Sequence, residues 1–210
     1  MNKVQLKHKM RKYARSHKLD VPRGYNPANP FWGPGSKTLA WRITGHAKKE
    51  RSTSAVAVHA ILYPKTLGQK IVEVALSQVG VHESPYASND GPKVHEYQAV
   101  TGAYKQPWCA SFVSWCARQA GYHSSLPPIP AYVPSWAGWR PCSKRSLRRG
   151  GYVCLWGSGH IEVFVRWVIP YVLAECVGGN TSPVGKNANG GMVAKTRRYS
   201  TEMNAVGNVA

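Results

Sequence analysis

Apolar positions along the second half of the chain fall first in a helical rhythm and then in a strand rhythm. Residues 67–79 place Ile71, Val72, Val74, Ala75, Leu76 and Val79 in a stripe of the width that a core-facing helix needs. After a Gly, Asn and Pro-rich stretch over 80–92, the pattern predicts a second helix at 94–100. A third starts at the Pro107-Trp108-Cys109 corner. From Cys109 onward, Phe112, Val113, Cys116, Ala117 and Ala120 recur at i, i+3, i+4, i+7 spacing, and Gly121 stands where a C-cap glycine ends a helix. A Pro-rich, basic stretch over 124–151 reads as a long surface loop. The rhythm then changes to that of strands at 152–156, 161–168, 171–177 and 192–199, separated by Gly157-Ser158-Gly159, a turn at Pro170 and a Gly and Asn-rich loop. Helices followed by an antiparallel meander predict an α+β domain over residues 66–210.

The first third is different. Residues 3–17 are strongly basic with an incomplete apolar stripe at Val4, Leu6, Met10, Tyr13 and Ala14. A Pro and Gly-rich segment at 22–35 precedes short helical patterns at 36–43 and 54–63. Residues 1–65 are thus expected to be a small, mainly helical module, marginal for folding alone at that size. Of the 28 Lys and Arg residues, 14 lie in this segment, against Asp20 and Glu50. The formal net charge of +19 directs the protein toward polyanions: nucleic acid, an anionic membrane surface, or the phosphate-bearing polymers of a bacterial wall.

Residues 1–18 lack the uninterrupted apolar run of an export signal. The most apolar later stretch, 161–174, is too short to cross a bilayer and carries Glu162, Arg166 and Pro170, so no transmembrane segment is expected. Five cysteines at 109, 116, 142, 154 and 176, an odd number without a CxxC pair, read as mostly free thiols rather than as a disulfide framework or a zinc site.

Candidate chemistry centres on Cys109. A helix start presents unpaired N–H groups and the positive end of the dipole, which is where a nucleophilic cysteine belongs; Cys116, seven residues on along the same face, reads as a small buried hydrophobe. His160 opens a strand after a glycine-flanked turn and is the candidate base. His8, His17, His46, His59 and His123 sit in basic or loop contexts, and His82 and His95 lie upstream beside the expected cleft. Asn180 follows Gly178-Gly179, two glycines that permit a close approach, and is the candidate orienting group for the imidazole. Glu162 and Glu175 rank below it, since a lone Glu on a strand usually faces solvent.

In order and spacing, five segments resemble the CHAP family of cysteine and histidine-dependent amidohydrolases and peptidases: residues 75–85; 88–97; Pro107-Trp108-Cys109-Ala110-Ser111-Phe112-Val113-Ser114-Trp115-Cys116; Gly159-His160-Ile161-Glu162-Val163-Phe164; and Gly178-Gly179-Asn180-Thr181-Ser182. The resemblance spans residues 71–199. It implies a papain-like fold, a Cys109, His160 and Asn180 triad, cleavage of an amide bond in peptidoglycan as an N-acetylmuramoyl-L-alanine amidase or an endopeptidase, and no cofactor. The expected biology is that of a phage endolysin: a monomer held in the bacterial cytoplasm until release, then lysing the cell by cell wall degradation. Many members carry Glu where this chain has Gly178 and Asp where it has Tyr152. Some bind calcium ahead of the cysteine, where this chain offers Glu83, Asn89 and Asp90, and no metal is expected here. Trp108, Gln106 and Tyr104 are the expected substrate-binding residues, with Tyr104 or Gln106 as a second oxyanion donor beside the Cys109 N–H.

Phe31-Trp32-Gly33-Pro34 and Thr38 faintly resemble a peptidoglycan-binding three-helix domain. The simpler expectation is a basic arm that draws the protein to anionic wall polymers or an outer-membrane surface. Two other readings of the chain are a nucleic-acid-binding protein, given the charge, and a wall-binding module without activity. No zinc or helix-turn-helix pattern supports the first, and the intact Cys109, His160 and Asn180 argue against the second.

Overall fold

The computed structural model describes residues 65–183 and 190–209, with Lys12, Arg15 and Ser16 in addition. The chain divides between Lys65 and Thr66 into two units, and the second carries the sheet and the helices that pack on it. The expectations for a module in residues 1–65 lie outside the described residues, where only Lys12, Arg15 and Ser16 are seen, helical and exposed.

In the second unit three helices come first. Helix α1 (Leu67–Ser77) opens with a reciprocal capping box. The Gln69 N–H donates to Thr66 Oγ1 at 3.2 Å and the Thr66 N–H donates to Gln69 Oε1 at 2.8 Å. It buries Ile71, Val72 and Ala75. Helix α2 (Pro92–Ala99) starts on a proline, whose fixed φ and missing N–H suit the first helical position, and buries Val94, Tyr97 and Gln98. Helix α3 (Cys109–Gln119) is buried on every side from Cys109 to Ala117, more than its stripe of apolar residues indicates. It packs against α1 and α2 as well as against the sheet, so Ser111 and Ser114 are enclosed along with Phe112 and Val113.

The sheet has five antiparallel strands in the order β4-β3-β2-β1-β5: β1 (Tyr152–Leu155), β2 (His160–Ile169), β3 (Leu173–Thr181), β4 (Met192–Tyr199) and β5 (Met203–Gly207). The mixed helix and antiparallel-sheet class agrees with expectation; two details do not. The strand rhythm indicates four strands, but a fifth follows a 3-10 turn at Ser200–Glu202 and pairs with β1 at the opposite side of the sheet from β4. The stretch 124–151 is not simply a surface loop. It contains helix α4 (Val133–Ala137), and Trp136 and Leu147 are buried. Trp136 and Trp139 pack on Tyr152, whose hydroxyl donates to the Trp136 carbonyl at 2.6 Å.

The sheet carries two cores. One joins it to the helices through Ile71, Val94, Phe112, Val113, Ile161, Val163 and Val177. The second, smaller one gathers Leu147, Val153, Leu155, Phe164, Cys176 and Met203. Alternation along β1 and β2 explains the division, since Val153, Leu155 and Phe164 point away from the side taken by Cys154, Ile161 and Val163. Among the described residues no helix is long and apolar enough to cross a membrane.

Candidate active site

Cys109 is the first residue of α3, following Trp108 at the N-cap. Its side chain lies on the floor of a cleft of about 540 Å³ lined by Ala103, Gln106, Pro107, Ala131, Tyr132, Val133, Pro134 and the turn Trp156-Gly157-Ser158-Gly159. That turn leads into His160, the first residue of β2, whose side chain is completely buried.

His160 stands between an acid and a thiol. Its Nε2 lies 3.3 Å from Glu162 Oε1. Nδ1 is buried and makes no fully formed hydrogen bond, while the Cys109 side chain is near enough to act on the ring. Burial alone disfavours the imidazolium, but the interactions with Cys109 and Glu162 outweigh it and raise the pKa to about 9. Trp156 closes the site from the turn, stacked on the imidazole with ring centroids 5.6 Å apart and planes at 21°. Its backbone is left-handed, φ +51°, as the tight entry to the strand demands.

Glu162 is the acid, and here the sequence reading needs correction. Ranked below Asn180 as a solvent-facing residue, it is fully buried and has four donors on its two oxygens. Besides His160, Thr196 Oγ1 donates to Oε2 at 2.6 Å, Arg198 Nε to Oε2 at 3.1 Å, and Arg198 Nη2 to Oε1 at 2.5 Å. Burial would raise the pKa of this carboxyl, yet the hydrogen bonds and charges of His160 and Arg198 hold it down at about 2.

The donors on β4 reach Glu162 across β3, and the register explains how. Glu162 pairs with Gly178. A Cβ on Gly178 would stand 2.8 Å from Glu162 Oε1 and 2.9 Å from its Cγ, so the missing side chain is the space the glutamate occupies. Gly179 serves the other face, where a Cβ would meet Phe112 Cβ at 2.6 Å and Trp108 Cζ3 at 2.7 Å. The two glycines make room for a carboxylate on one side and a helix on the other. They do not deliver Asn180 to the histidine. Asn180 is buried with φ +52°; its Nδ2 donates to Asn89 Oδ1 at 3.1 Å and its Oδ1 accepts the Gly191 N–H at 3.3 Å.

The other expected residues divide. Gln106 lines the cleft. Trp108 does not, because its ring is fully buried and its Nε1 donates to Glu83 Oε1 at 2.7 Å, which makes it a part of the core. Tyr104 is absent from the lining too; it is 53% exposed and meets the ring of His95 edge-on at 5.9 Å. Glu175 pairs with Arg166 at 2.8 Å, away from the histidine. Two acids upstream of Cys109 have partners within the fold. Glu83 holds the Trp108 indole, and Asp90 accepts the Gly91 N–H at 2.7 Å and pairs with His95 at 2.5 Å. All five cysteines are free thiols.

Thr196 and Arg198 are functional candidates that the sequence reading missed. The signal was present as two i, i+2 pairs, His160 with Glu162 on one strand and Thr196 with Arg198 on another, each placing both members on one face of the sheet. Comparison of the chain with models of known protein families, with curated proteins and with solved structures gives no match in any of the three.

Proposed function

We propose that this protein is a cysteine-dependent peptidoglycan hydrolase of the papain-like CHAP type, with Cys109 as nucleophile, His160 as acid and base, and Glu162 as the group that orients the histidine. The observation that carries the reading is the buried His160, set between a thiol at a helix start and an ionised carboxylate, beside an open cleft.

In the reaction the Cys109 thiolate attacks the carbonyl carbon of the scissile amide. The Cys109 N–H, one of those that a helix start leaves unpaired, faces the developing oxyanion with the side chain of Gln106 as its partner from the cleft wall. As the C–N bond breaks, the leaving amine takes the proton from His160 Nδ1. The thioacyl enzyme is then hydrolysed by a water that gives its proton back to the imidazole.

Among the described residues the walls around Cys109 carry no Lys, Arg, His, Asp or Glu, and Gln106, Tyr132 and Ser158 are their polar members. That favours an uncharged bond, such as the amide between muramic acid and L-alanine, over a stem-peptide position bearing a free ammonium or carboxylate, which would need a counter-ion. Release from a bacterial cytoplasm and action at the wall as a lytic enzyme complete the proposal, with the +19 charge raising the protein's local concentration at anionic wall polymers.

The test is clearing of permeabilised bacterial cells and of purified walls. Wild type is expected to clear both, and Cys109→Ala, with an unchanged circular dichroism spectrum, is expected to clear neither. New N-terminal L-alanine among the products marks the amidase, and other new amino termini mark an endopeptidase. Clearing by the folded Cys109→Ala variant at the wild-type rate sinks the proposal.

A further inference from the structure

We propose that Arg198 is a positioning residue: its guanidinium, buried behind the reactive pair, fixes the ionisation and direction of Glu162 and thereby decides which nitrogen of His160 exchanges the proton with Cys109. The inference rests on the Cys109 and His160 pairing proposed above and extends it to a strand that touches neither reacting atom.

Arg198 is 1% exposed, which is rare for arginine and requires a partner. Its Nε and Nη2 form a two-pronged contact with both oxygens of Glu162, the geometry that a guanidinium fork gives and an ammonium does not. Arginine stays charged at every working pH, so the carboxylate beside it gains nothing by taking the imidazole proton. An ionised carboxylate is an acceptor only, so the nitrogen facing it, Nε2, must carry a hydrogen. Nδ1 is left as the atom that receives and returns the proton. Arg198 has a second route to the histidine, since its guanidinium lies 4.8 Å from the Trp156 ring centroid and Trp156 stacks on the imidazole.

The surroundings leave the task to Arg198. Helix α3 contributes the Cys109 thiol. Strand β1 contributes Cys154, a thiol pushed up to about 12 by burial and by Cys109. Strand β3 contributes Cys176, pushed up by burial and then by Glu162, so it stays neutral. From β4 come Thr196, a neutral donor, and Arg198. Without the guanidinium, a fully desolvated Glu162 gains a proton, presents an O–H in place of an acceptor, and ceases to hold the imidazolium.

The experiment is an NMR titration of the full chain with ¹⁵N-labelled histidine, His160 being assigned by its absence in His160→Gln. Wild type is expected to titrate near pH 9, with Nε2 protonated in the neutral ring. In Arg198→Met the midpoint is expected to fall by about one to three pH units. Arg198→Lys, which keeps the charge but loses the fork, should lie between the two. Thr196→Val, a milder change, should shift the midpoint the same way by less. A folded Arg198→Met with the wild-type midpoint and tautomer overturns the inference; if that variant does not fold, unmoved midpoints in both Arg198→Lys and Thr196→Val overturn it. The measurement uses no substrate, so an unshifted His160 removes the role of Arg198 alone, whereas shifted midpoints in a protein that clears no walls remove the hydrolase reading alone.

Discussion

Removing the carboxylate proposed to orient His160 tests the site most directly. Glu162→Gln keeps the shape but takes away the charge that favours the imidazolium, and it leaves Arg198 buried without its counter-ion. Wall-clearing activity is expected to drop by roughly 10²–10⁴-fold. Asn180→Ala is expected to cost much less, because its side chain ties Asn89 and Gly191 together and the ring of His160 is held by Glu162 instead. Initial rates of turbidity loss for both variants decide the order. The placement of Cys109 and His160 is legible in the sequence because each is a local fact: a cysteine at a helix start and a histidine that opens a strand after a glycine turn. The acid that stands beside His160 is not. It depends on whether Glu162 is buried, and that is settled by a glycine on the next strand and an arginine two strands away.

At the scale of elements, periodicity predicts the first and third helices and four strands to within a few residues, since each has enough turns or alternations to show its face. Helix α4 has five residues, too few for a helical period to declare itself. Strand β5 reads Met-Asn-Ala-Val-Gly, short and with small residues, and its place in the sheet comes from pairing with β1 rather than from local preference. The close packing of α3 on β3 supplies a test. Gly179→Ala puts a methyl group into Phe112 and Trp108, and the loss of stability is expected to be about 1–3 kcal/mol, read from urea unfolding followed by tryptophan fluorescence. Wild-type stability in that variant would mean that helix and strand are not packed as described.

For the whole molecule, the buried His160 and Glu162 couple folding to pH from both sides. The folded pKa of His160 lies above its usual 6.5, so the stability it contributes is complete below that value and is lost as pH rises toward about 9. The folded pKa of Glu162 lies below its usual 4.5, so its contribution is complete above that value and is lost as pH falls toward about 2. Thermal unfolding midpoints across pH are expected to decline on both flanks, and His160→Gln should flatten the alkaline one. The interlock of Glu162 with Gly178 has a further consequence for how such a sequence can change over generations. A side chain at 178 invades the space of the glutamate, and loss of the carboxylate at 162 takes two acceptors from the Arg198 fork, so each single step is expected to be harmful while a paired exchange moves the carboxylate from one strand to its neighbour. Substitutions at 162 and 178 are therefore expected to be non-additive, and a variant at either is interpretable only with the other in view.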